Sequence, residues 1–396
     1  MWSRRSLLKS AGAVSLTLGF LPWLSFSATT VERRFVFVIL RGAMDGLAAV
    51  PPLGDPGYRK ARGSIALGRS DTLELDGFFA IHKSLRFLHE AFKDGELSIF
   101  HAIATPYRER SHFDGQDILE NGGIRALGLK TGWLGRALDS EALTSKSATG
   151  LAISQSMPMV FWGSANATSW APSVMPDAAQ GLLERLSYLY EDDPLIETAF
   201  QNALAADAIA PDMSMMGSGG RRGLLGNFTT AAKAAGAFLS QQDGPTFAVL
   251  EITGWDTHAN QGTGSGQLAN NLEALDGGLK TLKQTLGKTW AGTTVFVATE
   301  FGRTAAANGS GGTDHGTGSA AFLLGGAVNG GRIIVDWPGL KSSQLYEGRD
   351  LRPTLDMRAP LKGVLHDFLE IPTAELSGIV FPNSALVKGL KDLTRG

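Results

Sequence analysis

Five short, unbroken apolar runs constrain this chain more than any other feature. They are RFVFVILRG (34–42), LSIFHAIA (97–104), TFAVLEITG (246–254), TTVFVATEFG (293–302) and AAFLLGG (320–326). Runs of this length, rich in Val, Ile and Phe and lacking polar alternation, read as strands buried on both faces of a parallel sheet. Such a sheet needs a helical layer on each side. The intervening segments supply helical patterns, among them SLRFLHEAFKDG (84–95), GLLGNFTTAAKAAGAFLSQ (223–241) and QLANNLEALDGGLKTLKQTLG (267–287). The expected fold is therefore α/β, a three-layer α/β/α sandwich around a mostly parallel central sheet.

The chain has 396 residues with 43% hydrophobic content, enough for one large core, so residues 29–396 are read as a single domain. Residues 141–222, rich in Ser, Met, Ala and Pro and weakly periodic, read as an inserted cap or loop region. There is no cysteine, which excludes disulfides, thiolate nucleophiles and cysteine-based metal or iron–sulfur sites. Chemistry is left to His, Asp, Glu, Ser and Thr.

Residues 1–28 carry Arg4, Arg5 and Lys9, no acid, an apolar run from Ala11 to about Phe26, and small residues from Ser25 to Ala28. That pattern fits a secretory signal peptide, with an uncleaved anchor as the other reading. The Arg4–Arg5 pair resembles the twin-arginine (Tat) signal, which implies use of the Tat export machinery and a periplasmic or extracytoplasmic product. No stable transmembrane span is expected after processing. Without the leader, 33 basic residues face 38 acidic ones, a net charge of −5 that argues against nucleic acid as a partner.

The candidates for chemistry follow the apolar runs, at the edge where an open α/β sheet places its ligands. They are Asp45 in RGAMDGL, Ser111 and His112 in TPYRERSHFDGQD, Asp256 and His258 in GWDTHANQG, Glu300 and Arg303 in TEFGRT, and Asp314 and His315 in TDHGTG. Each also has a local reading. Asp45 before Gly46 suits a turn, and Ser111 suits a helix N-cap. Asp256 and His258 share one face of an extended backbone, as ligands would, yet an Asx-turn is equally local. Glu300 could pair with Arg303. His89 and His366 sit in helical patterns and read as surface or satisfied core residues. Asp314 and His315, flanked by glycines, have few packing partners to justify a core role.

The order of these residues resembles the metal-site order of the alkaline phosphatase superfamily, which includes sulfatases and cofactor-independent phosphoglycerate mutases. The motifs RSHFDGQD, GWDTHANQG, TEFGRT and TDHGTGSAAFLLGGAVNGGRI are closer still to the bacterial exported family called domain of unknown function 1501 (DUF1501), over about residues 35–370. The resemblance implies an alkaline phosphatase-like fold and one or two divalent metal ions of the Zn or Mg/Mn/Ca class. It matches His315 to the last metal histidine, Asp256 and His258 to an Asp/His pair usually spaced wider, and Asp45 and Glu300 to two carboxylates; Asp314 stands beside them. Phe301 occupies a position where the superfamily commonly has His. Ala104 stands where a formylglycine sulfatase needs Cys or Ser, which excludes that chemistry.

The resemblance implies metal-dependent hydrolysis of a small phosphate or sulfate ester. Ser111 would be the nucleophile if the reaction is covalent, or a metal-bound water if not. Arg108, Arg110 or Arg303 would hold the non-reacting oxygens. Two other classes remain at this point: an inactive exported binding or cell-envelope assembly protein that keeps the fold, and a metal-stabilised structural protein of the envelope.

Overall fold

The computed structural model describes residues 33–172, 180–190 and 220–395, with positions 193, 196, 197, 200, 201, 204, 205 and 209 between them. The leader read over residues 1–28 lies outside the described residues. The strands are β1 (Arg34–Leu40), β2 (Thr72–Glu74), β3 (Ala80–His82), β4 (Leu97–Ala104), β5 (Gly150–Ile153), β6 (Ala167–Trp170), β7 (Phe247–Ile252), β8 (Thr293–Thr299), β9 (Ser319–Leu324), β10 (Arg332–Ile334) and β11 (Leu355–Asp356). One sheet runs in the order β10-β4-β9-β8-β1-β7-β5-β6, with β11 also on β4, and β2 pairs with β3 apart from it. All five apolar runs are strands of the large sheet.

Strand β1 shows why. It pairs in parallel with β7 on one side and β8 on the other, and all seven of its residues are buried. Side chains alternate between the faces of a strand. Val36, Val38 and Leu40 join Leu88, Phe238, Leu275 and Leu279 from the helices Arg86–Lys93, Gly220–Leu239 and Gln267–Leu286. Phe35, Phe37 and Ile39 join Leu119, Trp133, Val364 and Leu365 from the helices His112–Asn121, Trp133–Leu138 and Arg358–Asp367. Phe37 meets the Trp133 ring edge-on, with centroids 5.3 Å apart. Each of these side chains contributes about 1.5–3 kcal/mol when fully buried, so an alternating strand serves two cores and three layers result.

Two features depart from a uniform parallel sheet with a separate cap. The region expected as an insertion over 141–222 begins by extending the sheet, because β5 pairs with β7 and β6 with β5. Strand β9 is antiparallel to both of its neighbours, β4 and β8. Its reversed direction places its first residue, Ser319, at the edge where the other strands end. Among the described residues no helix is long and apolar enough to cross a membrane.

Candidate metal centre

Five segments meet at that edge: those following β1, β4, β7 and β8, and the one leading into β9. The glycines around Asp314 and His315 explain how closely they meet. A Cβ on Gly312 would lie 2.4 Å from the His258 carbonyl carbon, and one on Gly316 would lie 2.4 Å from that of Arg303. The loop therefore presses its backbone against both neighbouring segments, and Arg303 and His315 form an antiparallel bridge.

Asp256 is the hub. Its Oδ1 lies 3.1 Å from His258 Nε2, 3.3 Å from His315 Nε2 and 2.5 Å from Arg303 Nη1. Its Oδ2 lies 3.5 Å from His112 Nε2, and the Nε2 atoms of His258 and His315 are 2.9 Å apart. Ligand atoms of His112, Asp256 and His315 lie within 4.8 Å of one another, the spacing a single metal ion needs. Asp256 is 43% exposed, so the focus opens to solvent.

The outer nitrogens each face an acceptor. His315 Nδ1 faces the Arg110 carbonyl at 2.8 Å, which can only accept. His112 Nδ1 faces Glu300 Oε1 at 2.8 Å, and His258 Nδ1 faces Asp314 Oδ1 at 3.3 Å. With Nδ1 as the donor, each ring would turn its Nε2 lone pair toward the Asp256 carboxylate, the tautomer a bound cation would select. A ligating histidine is held in this way, its other nitrogen donating to a carboxylate or carbonyl.

Charge is distributed to match. The His112 pKa is raised, chiefly by its bond to Glu300, against the effect of burial. Burial lowers the His315 pKa, helped by the nearby charges of His112 and Arg303. Burial works to raise the Asp256 and Glu300 carboxyls, but Arg303 in one case and His112, Gln116 and Thr299 in the other hold them below their ordinary values. A hydrogen bond from Asn308 lowers Asp314 most.

The remaining candidates stand elsewhere. Asp45, matched by the resemblance to a metal ligand, is instead a helix N-cap: its Oδ1 accepts from Ala48 N at 3.2 Å, while its Oδ2 pairs with Arg62 and accepts from Gln261 Nε2 at 2.7 Å. Glu300 does not pair with Arg303. Arg303 is buried and bonded to Asp256 and Thr313. Arg108 donates to the Thr105 and Tyr107 carbonyls, and Arg110 is held by Asp350 and Glu347, so neither is the free clamp expected. Asp314 supports His258 rather than facing the focus. Ser111 stands at the N-cap of the helix His112–Asn121, as its local reading expects, but its hydroxyl makes no side-chain cap bond. Phe301 stacks on His112 with ring centroids 5.0 Å apart. His89 and His366 each bond a backbone carbonyl, as satisfied residues should.

Sequence reasoning missed the support beneath the centre. Gln261 Oε1 accepts from Thr257 Oγ1 at 2.8 Å and Thr313 Oγ1 at 2.9 Å, so its amide must turn Nε2 to Asp45. Asn308 Nδ2 reaches the His258 carbonyl at 2.8 Å and Asp314 Oδ1 at 3.0 Å. Only Gln116 carried a usable signal, being one helical turn after His112.

The fold and this edge define a mixed α/β protein with a histidine- and aspartate-rich centre built where its strands end. Residues 100–371, more than half of the chain, match the family described as Protein of unknown function (DUF1501), and the chain belongs to that family. Among solved structures it is similar to the phosphonate monoester hydrolase of Agrobacterium radiobacter, at 11% identity and a TM-score of 0.41 over 86% of this chain and 74% of that one. It is also similar to the lipoteichoic acid synthase LtaP from Listeria monocytogenes, at 9% identity and a TM-score of 0.39 over 90% of this chain and 76% of that one. A 2-O GAG sulfatase is similar at 10% identity and a TM-score of 0.41, over 91% and 75%. A comparison with curated proteins finds no match.

Proposed function

We propose that this chain binds a divalent cation through His112, Asp256 and His315, with His258 as a further donor, and hydrolyses a small phosphate or sulfate ester there. One observation carries the reading: the Nε2 atoms of His112, His258 and His315 converge on the Asp256 carboxylate, a donor set that a cation would complete. An imidazole-rich donor set suits zinc and its transition-metal neighbours better than magnesium or calcium, which take oxygen ligands. When bound, the cation would screen the ester's charge and lower the pKa of a bound water.

The chain's own groups would hold the ester beside it. The Ser111 hydroxyl stands at the start of a ten-residue helix, where the dipole favours an anion. Arg349 donates from Nη2 to the His315 carbonyl at 2.5 Å, pairs through Nε with Asp350 at 3.5 Å and keeps 43% of its side chain exposed, so it is the cation beside the centre most open to an anion.

The test is metal content together with turnover of p-nitrophenyl phosphate and p-nitrophenyl sulfate, with and without chelator. Bound cation and chelator-sensitive hydrolysis are expected, and His315→Ala should lose both. A protein that holds no cation, or hydrolyses regardless of chelator, would sink the reading. A second reading, cation binding without turnover, is favoured by the engagement of Asp45 and Glu300 in internal bonds, since many phosphoryl-transfer sites use two metals. One bound cation with neither ester cleaved would support it.

Export by the twin-arginine route to the periplasm is part of the proposal, resting on Arg4, Arg5 and the short apolar run that follows. Replacing both arginines with Lys should leave the precursor in the cytoplasm. Unchanged periplasmic yield would overturn it.

A further inference from the structure

The motif resemblance matches Glu300 to a metal ligand, but its surroundings give it another task. We propose that Glu300 is a positioning residue that fixes His112, backed through Gln116 by Arg41, and that the centre takes one cation per chain. This rests on the reading above that His112 is a ligand.

Glu300 is fully buried, and its Oε1 accepts three hydrogen bonds: from Gly42 N at 2.9 Å, His112 Nδ1 at 2.8 Å and Gln116 Nε2 at 3.2 Å. Its Oε2 lies 2.8 Å from Thr299 Oγ1. An oxygen with three donors on it has no lone pair left for a cation, and a cation brought there would meet the positive ends of those dipoles. The Gln116 amide cannot turn over, because its Oε1 accepts from Arg41 Nη1 at 3.1 Å. Arg41 is in turn held by Glu120 at 2.9 Å and by Glu251.

The chain Arg41, Gln116, Glu300 thus ends on one nitrogen of His112, while Phe301 covers a face of the ring. Rotation of the imidazole would break the Glu300 bond and the stacking together. Only Nε2 remains to face Asp256 and His315. A carboxylate on the outer nitrogen also makes the inner one a stronger donor to a metal. The second carboxylate that a two-metal centre would use, Asp45, is spent on Arg62, Gln261 and Ala48, and Glu300 turns its Oε1, the atom facing His112, to three donors, so a second cation finds no prepared pair of carboxylates.

Titration of Zn2+ or Co2+ against a competing chelator tests this in the wild type, His112→Ala, Glu300→Ala, Glu300→Gln and the double variants. The wild type should bind one ion. Glu300→Ala should keep that stoichiometry and weaken affinity roughly 10–100-fold, and Glu300→Gln, which keeps an acceptor for Nδ1, should weaken it less. The His112→Ala/Glu300→Ala pair should bind no more weakly than His112→Ala alone, because Glu300 acts through His112. The visible spectrum of bound Co2+ should change in Glu300→Ala and be the same in His112→Ala with or without the second substitution. Two ions in the wild type with one lost in Glu300→Ala, or losses that multiply in the double variant, would overturn the proposal while leaving the metal reading intact. A wild type that binds no ion would overturn both. If Glu300→Ala does not fold, the Glu300→Gln pair supports the same comparison.

Discussion

Asp45 and Arg62 meet with 1% and 0% of their side chains exposed, and the position of that pair explains why a carboxylate beside the centre is not part of it. Arg62 also donates to the carbonyls of Thr304 at 3.1 Å and Ala305 at 3.3 Å, tying down the segment that carries Arg303. Removing one member of a buried pair leaves an uncompensated charge, which costs about 3–5 kcal/mol. Arg62→Met should therefore lower the unfolding free energy by that amount in urea, and Asp45→Asn added to it should recover part of the loss. Cation content per folded chain should stay at the wild-type value in all of them. A loss of cation in Asp45→Asn would return Asp45 to the ligands. The sequence showed half of this: Asp45 before Gly46 was readable as a local turn residue, whereas its partner lies 17 residues on, in YRKAR, and nothing local marks a pairing set by tertiary packing.

At the level of elements, apolar runs reveal strands but not their direction. The β8–β9 connection has no helical pattern between Gly302 and Gly318, and a parallel neighbour would need a crossover; that absence was the sequence's trace of the antiparallel strand that brings His315 to the centre. Helix capping across elements was less visible. The N-cap of Arg86–Lys93 is Leu85, which has no side-chain acceptor, and Asp276 from Gln267–Leu286 replaces it by accepting from Phe87 N and Leu88 N, both at 3.0 Å. Burial outweighs these bonds and pushes the Asp276 carboxyl up to about 6. A carboxyl raised on folding favours the folded state when protonated, so its contribution is complete below about pH 4 and lost as pH rises through 6, by up to about 3 kcal/mol. Asp276→Asn should remove that contribution, so that stability falls more on acidification from pH 6 to 4 than in the wild type, at a cost of about 1 kcal/mol for one lost N–H bond. Urea midpoints across this range check it, and an unchanged slope would refute the assignment.

At the scale of the whole molecule, two groups far from the centre act on stability in opposite senses as pH changes. His101, in the middle of β4, is fully buried: its Nε2 meets the Val50 carbonyl at 2.9 Å, its Nδ1 accepts from Ala102 N at 2.8 Å, and it packs on Phe79 and Trp337. With both nitrogens satisfied in the neutral form, burial lowers its pKa to about 4. The unfolded chain takes up that proton near the ordinary value of 6.5, so stability from His101 is complete above pH 6.5 and falls by roughly 3 kcal/mol as pH drops to 4. Asp276 gains a similar amount over nearly the same interval. The two contributions oppose each other and nearly cancel between pH 6.5 and 4. Single substitutions should uncover the separate slopes: Asp276→Asn should lose stability steeply as the solution is acidified, whereas His101→Gln, which keeps a donor and an acceptor, should gain it. Separate sites add, so the slope of the double variant should return close to that of the wild type. Urea unfolding of the four proteins at half-unit steps of pH measures this directly, and parallel profiles in the two single variants would show that neither group governs the acid response.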